Sequence, residues 1–308
     1  MKESTAPNFK TIAYAIALCV ASMTVSAQKL PNIQKDAVYA PDNVRADGKT
    51  TEWDNIFQAY NKSTDVFYTI ANNADNLYFT IQATDPDIIN KIISGGIAFT
   101  IKSADKKSTI VPVIIGYPIK AKVTPTAGGG GAGANGGRGV SRVELNGASG
   151  PRSSSTGGTG LMATLKSTDP VSDETLLTLN NQINDNVKEI IVTGVKEIPD
   201  SAISVYNDQG INAAMLIGKN KAYTIELAVA LKYLQPVINT NGTFNYNIKL
   251  NGLNMSAMKI VINGAPADAN SPQMATVMSI MAGSGGNPSF QSLTSPTDFS
   301  GTYTLAKK

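Results

Sequence analysis

The sequence predicts an all-β protein, a two-sheet antiparallel β-sandwich of jelly-roll type with one or two short helices. Apolar and polar residues alternate in short segments, most clearly at 66–70, 77–83, 223–229 and 244–250. Alternation with a period of two, in segments rich in β-branched and aromatic residues, is typical of strands with one buried face. No repeat of fixed period is evident, which disfavours a solenoid or a propeller.

The elements follow one another in a consistent order along the chain. Residues 28–45 form an extended lead-in before the first strands. Asp85-Pro86-Asp87 ends the second strand, and a short helix follows that ends at Gly95-Gly96. A second helix begins near Ser172 and runs to Asn186. Further strands are predicted at 97–101, 110–115, 187–195, 202–206, 211–217, 258–262 and 302–305.

The first residues predict a secretory signal peptide over residues 1–27. Lys2 and Lys10 flank an n-region, residues 11–25 are mostly apolar, and Val25-Ser26-Ala27 resembles a cleavage site. Cleavage there leaves residues 28–308 as a single exported domain, in the periplasm or outside the cell. No later run of apolar residues approaches the length of a transmembrane segment.

Cys19 offers an alternative to cleavage at Ala27, which is a lipid anchor. The preceding Ile16-Ala17-Leu18 resembles a lipobox, but the bulky Leu18 stands where a small residue is expected. Cys19 is also the only cysteine. Cleavage after Ala27 therefore leaves a chain that forms no disulfide and performs no thiol chemistry.

A segment at 127–160 breaks the alternating pattern. Glycine, serine and threonine dominate it, and apolar residues are too few to offset the entropy of ordering it. The Walker pattern of a phosphate-binding loop is absent from it. The composition predicts a disordered insertion in the sandwich, with a loop that gates a ligand as the alternative.

Composition excludes several classes of function. The chain contains no histidine, which removes Ser-His-Asp and Cys-His catalysis, His-ligated zinc and His-ligated haem. The net charge is +3 and the basic residues are scattered, which disfavours a nucleic-acid groove. Carboxylates, lysines, tyrosines and hydroxyls remain as acid–base groups.

Three residues are candidates for contact with a sugar. Trp53 presents an aromatic face of the kind that suits the C–H face of a pyranose, with packing at the sandwich edge as the alternative. Tyr78 lies on the strand face opposite Leu77. Glu226 lies opposite Ile225 and can accept hydrogen bonds from sugar hydroxyls, with a solvated position or a buried structural hydrogen bond as alternatives.

Aspartates suggest a calcium site. Asp47, Asp85 and Asp87, with Asp54, provide hard oxygen ligands of the type that calcium prefers. The same residues suit turns and helix caps without any metal, and no EF-hand spacing is present. Calcium is therefore a possible cofactor, and the sequence implies no other.

Five sequence blocks together resemble a known pattern. They are D-G-x-x-x-E-W at 47–53, D-x-x-Y-x-I-A-N-x-x-x-N-L-Y-F-x-I-x-x-x-D at 65–85, Y-T-I-E-L-A-V-x-L-x-x-L at 223–234, F-N-Y-N-I-x-L-N at 244–251 and T-D-F-S-G-T-Y-T-L-A at 297–306. Their order resembles the family 9 carbohydrate-binding modules and the related DOMON-type sandwiches, closest to the secreted type common in Bacteroidetes.

The resemblance implies two sheets packed face to face, with sugar, haem or structural calcium bound in some members. The sugar-binding modules typically clamp their ligand between two tryptophans, whereas this chain has Trp53 alone. The absence of histidine weakens the hypothesis that the chain binds haem.

The leading hypothesis is a non-catalytic binding protein for carbohydrate. The alternative is a structural or adhesion-type protein that binds another component of the cell envelope. A carboxylate-based glycoside hydrolase is the third reading, and it requires a second positioned carboxylate beside Glu226.

Overall fold

A computed structural model describes residues 29–120, 142–144, 160–253, 259–262, 265–267 and 288–308. The predicted signal peptide, the anchor at Cys19 and most of the Gly-rich segment lie outside these ranges. The chain divides into Met1–Leu30 and a unit Pro31–Lys308, to which everything below belongs.

Two antiparallel sheets form the core of this unit. The five-stranded sheet has the order β1-β2-β3-β10-β9, with bounds Ala59–Asn61, Val66–Asn72, Asn76–Ala83, Tyr223–Ala230 and Ile211–Ile217. The six-stranded sheet has the order β14-β11-β4-β5-β7-β8, with bounds Thr297–Thr304, Thr243–Leu250, Ile97–Ser103, Val113–Lys120, Val187–Thr193 and Ala202–Ser204. A small third sheet has the order β13-β12-β6, with bounds Ala265–Ala267, Lys259–Ile262 and Arg142–Glu144.

The two large sheets pack face to face through alternate residues of their strands. Tyr68 of β2 lies against Phe299 of β14, with ring centroids 4.8 Å apart, and Phe79 of β3 lies 5.2 Å from Phe99 of β4. The Tyr68 hydroxyl is 3.2 Å from the hydroxyl of Tyr246. The alternating segments therefore bury one face each, and the predicted two-sheet β-sandwich is confirmed.

The described residues contain four short α-helices, where the sequence predicts one or two short helices, and two 3-10 helices at Thr51–Trp53 and Leu231–Tyr233. The α-helices are α1 Pro86–Gly95, α2 Leu161–Lys166, α3 Asp173–Asn184 and α4 Pro288–Thr294. The two predicted helices, α1 and α3, have the caps that their sequences suggest, because Asp85 accepts hydrogen bonds from the first turn of α1 and Ser172 accepts one from Thr175 in α3. None of the four is long and apolar enough to cross a membrane.

The strand predicted at 110–115 begins later, at Val113. Pro112 precedes it and has no N–H to donate to a neighbouring strand. Ile110 and Val111 lie in the loop before β5, and their side chains are exposed. The strand predicted at 202–206 likewise ends at Ser204, which leaves Tyr206 exposed.

The lead-in closes one edge of the five-stranded sheet. Strand β1 pairs only with residues 66–68 of β2. Beyond it, the side chain of Gln34 bonds to both the N–H and the C=O of Ile70, at 2.7 and 2.8 Å. Asn72 then pairs with Val38 and Ala40 through backbone bonds of 3.0 and 2.8 Å. The lead-in is therefore part of the folded domain.

Both ends of the described domain meet at Asn72. The Asn72 Oδ1 accepts a hydrogen bond of 2.7 Å from the backbone N–H of Ala306, and its Nδ2 donates to the Ala306 carbonyl at 3.1 Å. The Tyr303 hydroxyl lies 3.1 Å from the backbone nitrogen of Val38. These contacts join the lead-in, β2 and the residues after β14 on one side of the sandwich.

Candidate functional site

A second, smaller apolar cluster lies on the outer face of the five-stranded sheet. Its buried members are Trp53, Tyr78 and Ala228, together with Ala40 and Ala71. Strands β2, β3 and β10 supply three of them, and the lead-in supplies Ala40. Trp53 comes from the turn at residues 47–53, which we call the covering turn. The lead-in and this turn therefore cover part of a sheet face that alternation alone marks as polar.

Glu226 lies beside this cluster and is 3% exposed. Its Oε1 accepts hydrogen bonds from Trp53 Nε1 at 2.9 Å and from Thr80 Oγ1 at 3.4 Å. Its Oε2 accepts from the backbone N–H groups of Asp47 at 3.1 Å and Gly48 at 3.0 Å. A carboxylate has about four acceptor positions, and four donors converge on this one. Glu226 therefore fastens the turn at 47–48 and the indole of Trp53 to the sheet.

Burial raises the pKa of Glu226 above its usual value. The hydrogen bonds from Trp53, Asp47 and Gly48 lower the pKa and offset part of that rise, and the nearby charge of Glu52 adds to it. Desolvation penalises the charged form of a carboxyl group, whereas donors favour it.

Gly48 lets the turn approach the sheet closely. Its φ is +82°, and a Cβ added there would lie 2.8 Å from the backbone carbon of Met215 and 2.9 Å from the nitrogen of Leu216. A residue with a side chain would be strained in this conformation and would push the turn away from β9. Glycine at this position thus allows the Gly48 N–H to reach Glu226.

The three predicted sugar-contact residues come together in this region. The rings of Trp53 and Tyr78 have centroids 6.1 Å apart and meet edge to face. Trp53 is 8% exposed and Tyr78 is 6% exposed. Trp53 also donates to Glu226. Trp53 thus contacts both Tyr78 and Glu226, and these contacts hold the covering turn against the sheet.

The predicted calcium ligands are engaged in contacts with other groups of the protein. Asp85 caps α1, and Asp87 forms an ion pair of 2.9 Å with Lys166. Asp47 pairs with Lys49 at 2.9 Å. In the described ranges, no group of three or more His, Cys, Asp or Glu side chains is arranged to hold a metal ion. These contacts are turn and cap contacts, and calcium at these aspartates stays a prediction.

Lys91 is the other charged side chain that is buried within the described residues. It lies on α1, and its Nζ donates to Thr297 Oγ1 at 3.0 Å. Burial lowers the pKa of Lys91. Its hydrogen bond joins α1 to the first residue of β14.

An aromatic row lies on the same outer sheet face, beyond the covering turn. It consists of Phe57, Tyr60 and Phe67. The Phe67 ring centroid is 5.8 Å from that of Phe57 and 4.8 Å from that of Tyr60. All three side chains are half-buried. The Tyr60 hydroxyl donates to Asp65, and this hydrogen bond raises the pKa of Tyr60.

Polar side chains continue the aromatic row across the sheet. The register places Tyr60 opposite Phe67, Phe67 opposite Gln82, and Gln82 opposite Thr224. Gln82 Nε2 donates to Thr224 Oγ1 at 2.9 Å. This bond uses one of the two amide N–H donors, and the second donor and the carbonyl oxygen make no other hydrogen bond among the described residues. Two aromatic rings and an amide therefore lie side by side on three neighbouring strands, along about 10 Å of sheet.

The sequence marks Tyr60 as one of several tyrosines able to make amphipathic contacts, but it does not predict the row, although Phe67 carries a signal for it. Phe67 occupies a position between Val66 and Tyr68, where the alternation expects a polar side chain. A large aromatic residue at the outward position of a half-buried strand indicates a second contact surface.

One end of the sandwich carries an apolar groove of about 770 Å³. We call it the end groove and define it by Ile110, Val111, Val195, Ile198 and Val237. Ile110 is 46% exposed and Val111 is 66% exposed. The end groove thus combines a cavity with apolar side chains that project into solvent.

Comparisons of this chain with protein-family models, with curated proteins and with solved structures found no match.

Proposed function

We propose that this chain is an exported, non-catalytic protein that binds carbohydrate on the outer face of its five-stranded sheet. The observation that carries the proposal is the aromatic row Phe57, Tyr60 and Phe67 beside the amide of Gln82. Sugar rings present apolar C–H faces and hydroxyl edges, which match half-exposed aromatic rings and a side chain that both donates and accepts. The sequence resemblance to sugar-binding sandwiches favours the same ligand class.

The state of Glu226 supports binding over hydrolysis. A glycosidase of the usual type uses two carboxyl groups that flank the scissile bond, one as general acid and the other as base or nucleophile. Glu226 is buried, and both of its oxygens are engaged by donors of the protein. A carboxylate held in this way fixes structure and has no oxygen left to exchange a proton with a substrate.

Phe67→Ala is expected to weaken carbohydrate binding by about tenfold, because one well-packed aromatic contact contributes about 1.5 kcal/mol. Native affinity gels that contain xylan, mannan, β-glucan or arabinogalactan would show which glycan retards the wild-type protein. The retardation of the variant in the same gel is then compared with that of the wild type. Tyr206→Ala is the matched control, because Tyr206 is 84% exposed and lies outside the row. Equal retardation of all three proteins, or no retardation of the wild type by any glycan, would contradict the proposal.

The end groove supports a second candidate, a structural or adhesion-type contact with another protein of the cell envelope. Exposed apolar side chains around a cavity are typical of protein interaction sites. Val111→Asp is expected to abolish copurification of such a partner after cross-linking in cells. Leu177→Asp is the control, because Leu177 is 62% exposed and is not among the residues that define the groove. A partner captured equally by both variants would exclude the groove as its site.

A further inference from the structure

The six-stranded sheet ends in a long strand with an open edge. Strand β14 pairs with β11 along all eight of its residues without a shift of register. No described strand pairs with its other side, and no described loop bonds to its backbone there. In an antiparallel strand, alternate residues direct their N–H and C=O groups to opposite neighbours. Half of the backbone groups of β14 therefore point away from the sheet.

The other edges of the two large sheets are short, or are occupied along part of their length. Gln34 and the lead-in close the edge of β2. Asn180 bonds to both backbone groups of Ile217 at one end of β9, at 2.7 and 3.0 Å, and Asn207 bonds to the Ile211 carbonyl at the other. Strand β8 has only three residues. Among the described edge strands, β14 is thus the longest, and no described backbone group bonds to its outer edge.

The sequence of β14 also lacks the features that keep edge strands apart. Natural proteins protect such strands with lysine, proline or a bulge. The segment T-D-F-S-G-T-Y-T has none of these, and its single charge is Asp298. Asp298, Ser300, Thr302 and Thr304 are exposed on the outer face, while Phe299 and Tyr303 face the core.

We propose that β14 pairs antiparallel with β14 of a second copy of this chain, centred on Gly301. In this register, Phe299 lies opposite Tyr303 of the other copy and Ser300 lies opposite Thr302. The strand then matches itself, because aromatic residues meet on the core face and small polar residues meet on the outer face. The two six-stranded sheets join into one sheet across a two-fold axis.

Charge does not oppose a second copy as the occupant. In the antiparallel pair, each Asp298 faces Thr304 of the other copy, and the two carboxylates are about 20 Å apart at the usual rise per residue. Gly301 meets Gly301 at the axis, where no side chain opposes the approach of the backbones. This pairing is independent of the proposed carbohydrate site, which lies on the other sheet.

The test is the mass in solution of residues 28–308, measured by light scattering at high micromolar concentration. The wild type is expected to have twice the mass of the chain. The double variant Ser300→Lys/Thr302→Lys is expected to be monomeric, because it places lysines directly opposite one another. The control Thr100→Lys/Thr193→Lys adds the same charge to interior strands β4 and β7 of the same outer face and is expected to stay dimeric.

A disulfide provides a second measurement that does not depend on the lysine variants. The chain from residue 28 onward contains no cysteine, so Ser300→Cys/Thr302→Cys is expected to form a covalent dimer under oxidation. Thr243→Cys, one strand away from the edge, is expected to stay monomeric on a denaturing gel. A monomeric wild type, or a dimer that the edge lysines leave intact and the edge cysteines fail to link, would overturn the proposal.

Discussion

Glu226→Ala is expected to lower the free energy of unfolding by about 3–5 kcal/mol, because each buried donor left without a partner costs about 1–3 kcal/mol and such costs are not additive. The change removes the acceptor of Trp53 Nε1 and of the N–H groups of Asp47 and Gly48. Urea denaturation followed by far-UV circular dichroism measures the loss. A loss below about 1 kcal/mol would show that water or another acceptor replaces the carboxylate.

Glu226→Gln is the matched control for the size of the side chain. Its carbonyl oxygen can still accept from Trp53, but its NH₂ group then faces the N–H groups of Asp47 and Gly48. Two donors that face each other form no hydrogen bond, so the free energy of unfolding is expected to fall by about 1–3 kcal/mol. The free energy of unfolding is expected to decrease in the order wild type, Glu226→Gln, Glu226→Ala. The loss in Glu226→Gln reports the missing acceptor, because the volume of the side chain is unchanged.

The contribution of Glu226 also depends on pH. Its pKa is raised in the folded state above the reference value of 4.5, so the folded protein binds this proton more tightly than the unfolded chain does. Stability contributed by this group is therefore greatest below pH 4.5 and falls as the pH rises through the folded-state pKa. Above that pKa it is constant. The difference in unfolding free energy between the wild type and Glu226→Gln is expected to narrow over this range.

Trp53→Ala is expected to cost about 3–5 kcal/mol, since it removes a large buried ring from the covering turn and leaves a cavity. The ring is 8% exposed and packs against Tyr78. Thermal and urea unfolding measure this loss. Trp53→Phe keeps an aromatic ring but lacks the N–H that bonds to Glu226, and its expected cost is about 1–2 kcal/mol.

The pair of Trp53 variants also distinguishes a structural role from direct sugar contact. The proposed binding row lies at Phe67 and its neighbours, so Trp53→Phe, which keeps the fold, is expected to leave retention in glycan gels unchanged. Lost retention in a Trp53→Phe protein of normal secondary structure would instead place a sugar on the indole.

Alternation was sufficient to predict which residues face the core. Val66, Tyr68 and Ile70 do so in β2, and Tyr223 to Val229 do so at alternate positions in β10, because burial of one sheet face imposes a period of two on the sequence. The opposite face carries no such constraint. In the sequence, Glu226 fits a solvated position equally well. It is buried by contacts with residues distant in the chain, among them Trp53 and Asp47, which are 173 and 179 residues away.

The aromatic row escaped prediction for a related reason. Phe57, Tyr60 and Phe67 come from a loop and two strands, and they meet only because β1 and β2 pair in one register. A period within one segment does not report which residues of neighbouring strands stand side by side. The end groove is likewise assembled from separate segments of the chain, around residues 110–113, 192–201 and 232–237.

Because both ends of the domain contact Asn72, these contacts can form only late in the synthesis of the chain. Chains are made from the N-terminus at about 5–20 residues per second, and Ala306 emerges 234 residues after Asn72. Until then, the Asn72 side chain lacks its hydrogen bonds to Ala306, and the backbone of Val38 lacks its hydrogen bond to Tyr303. The edge of β11 that pairs with β14 also has no partner. Until β14 has left the ribosome, the domain therefore lacks the edge strand of its six-stranded sheet and the contacts at Asn72.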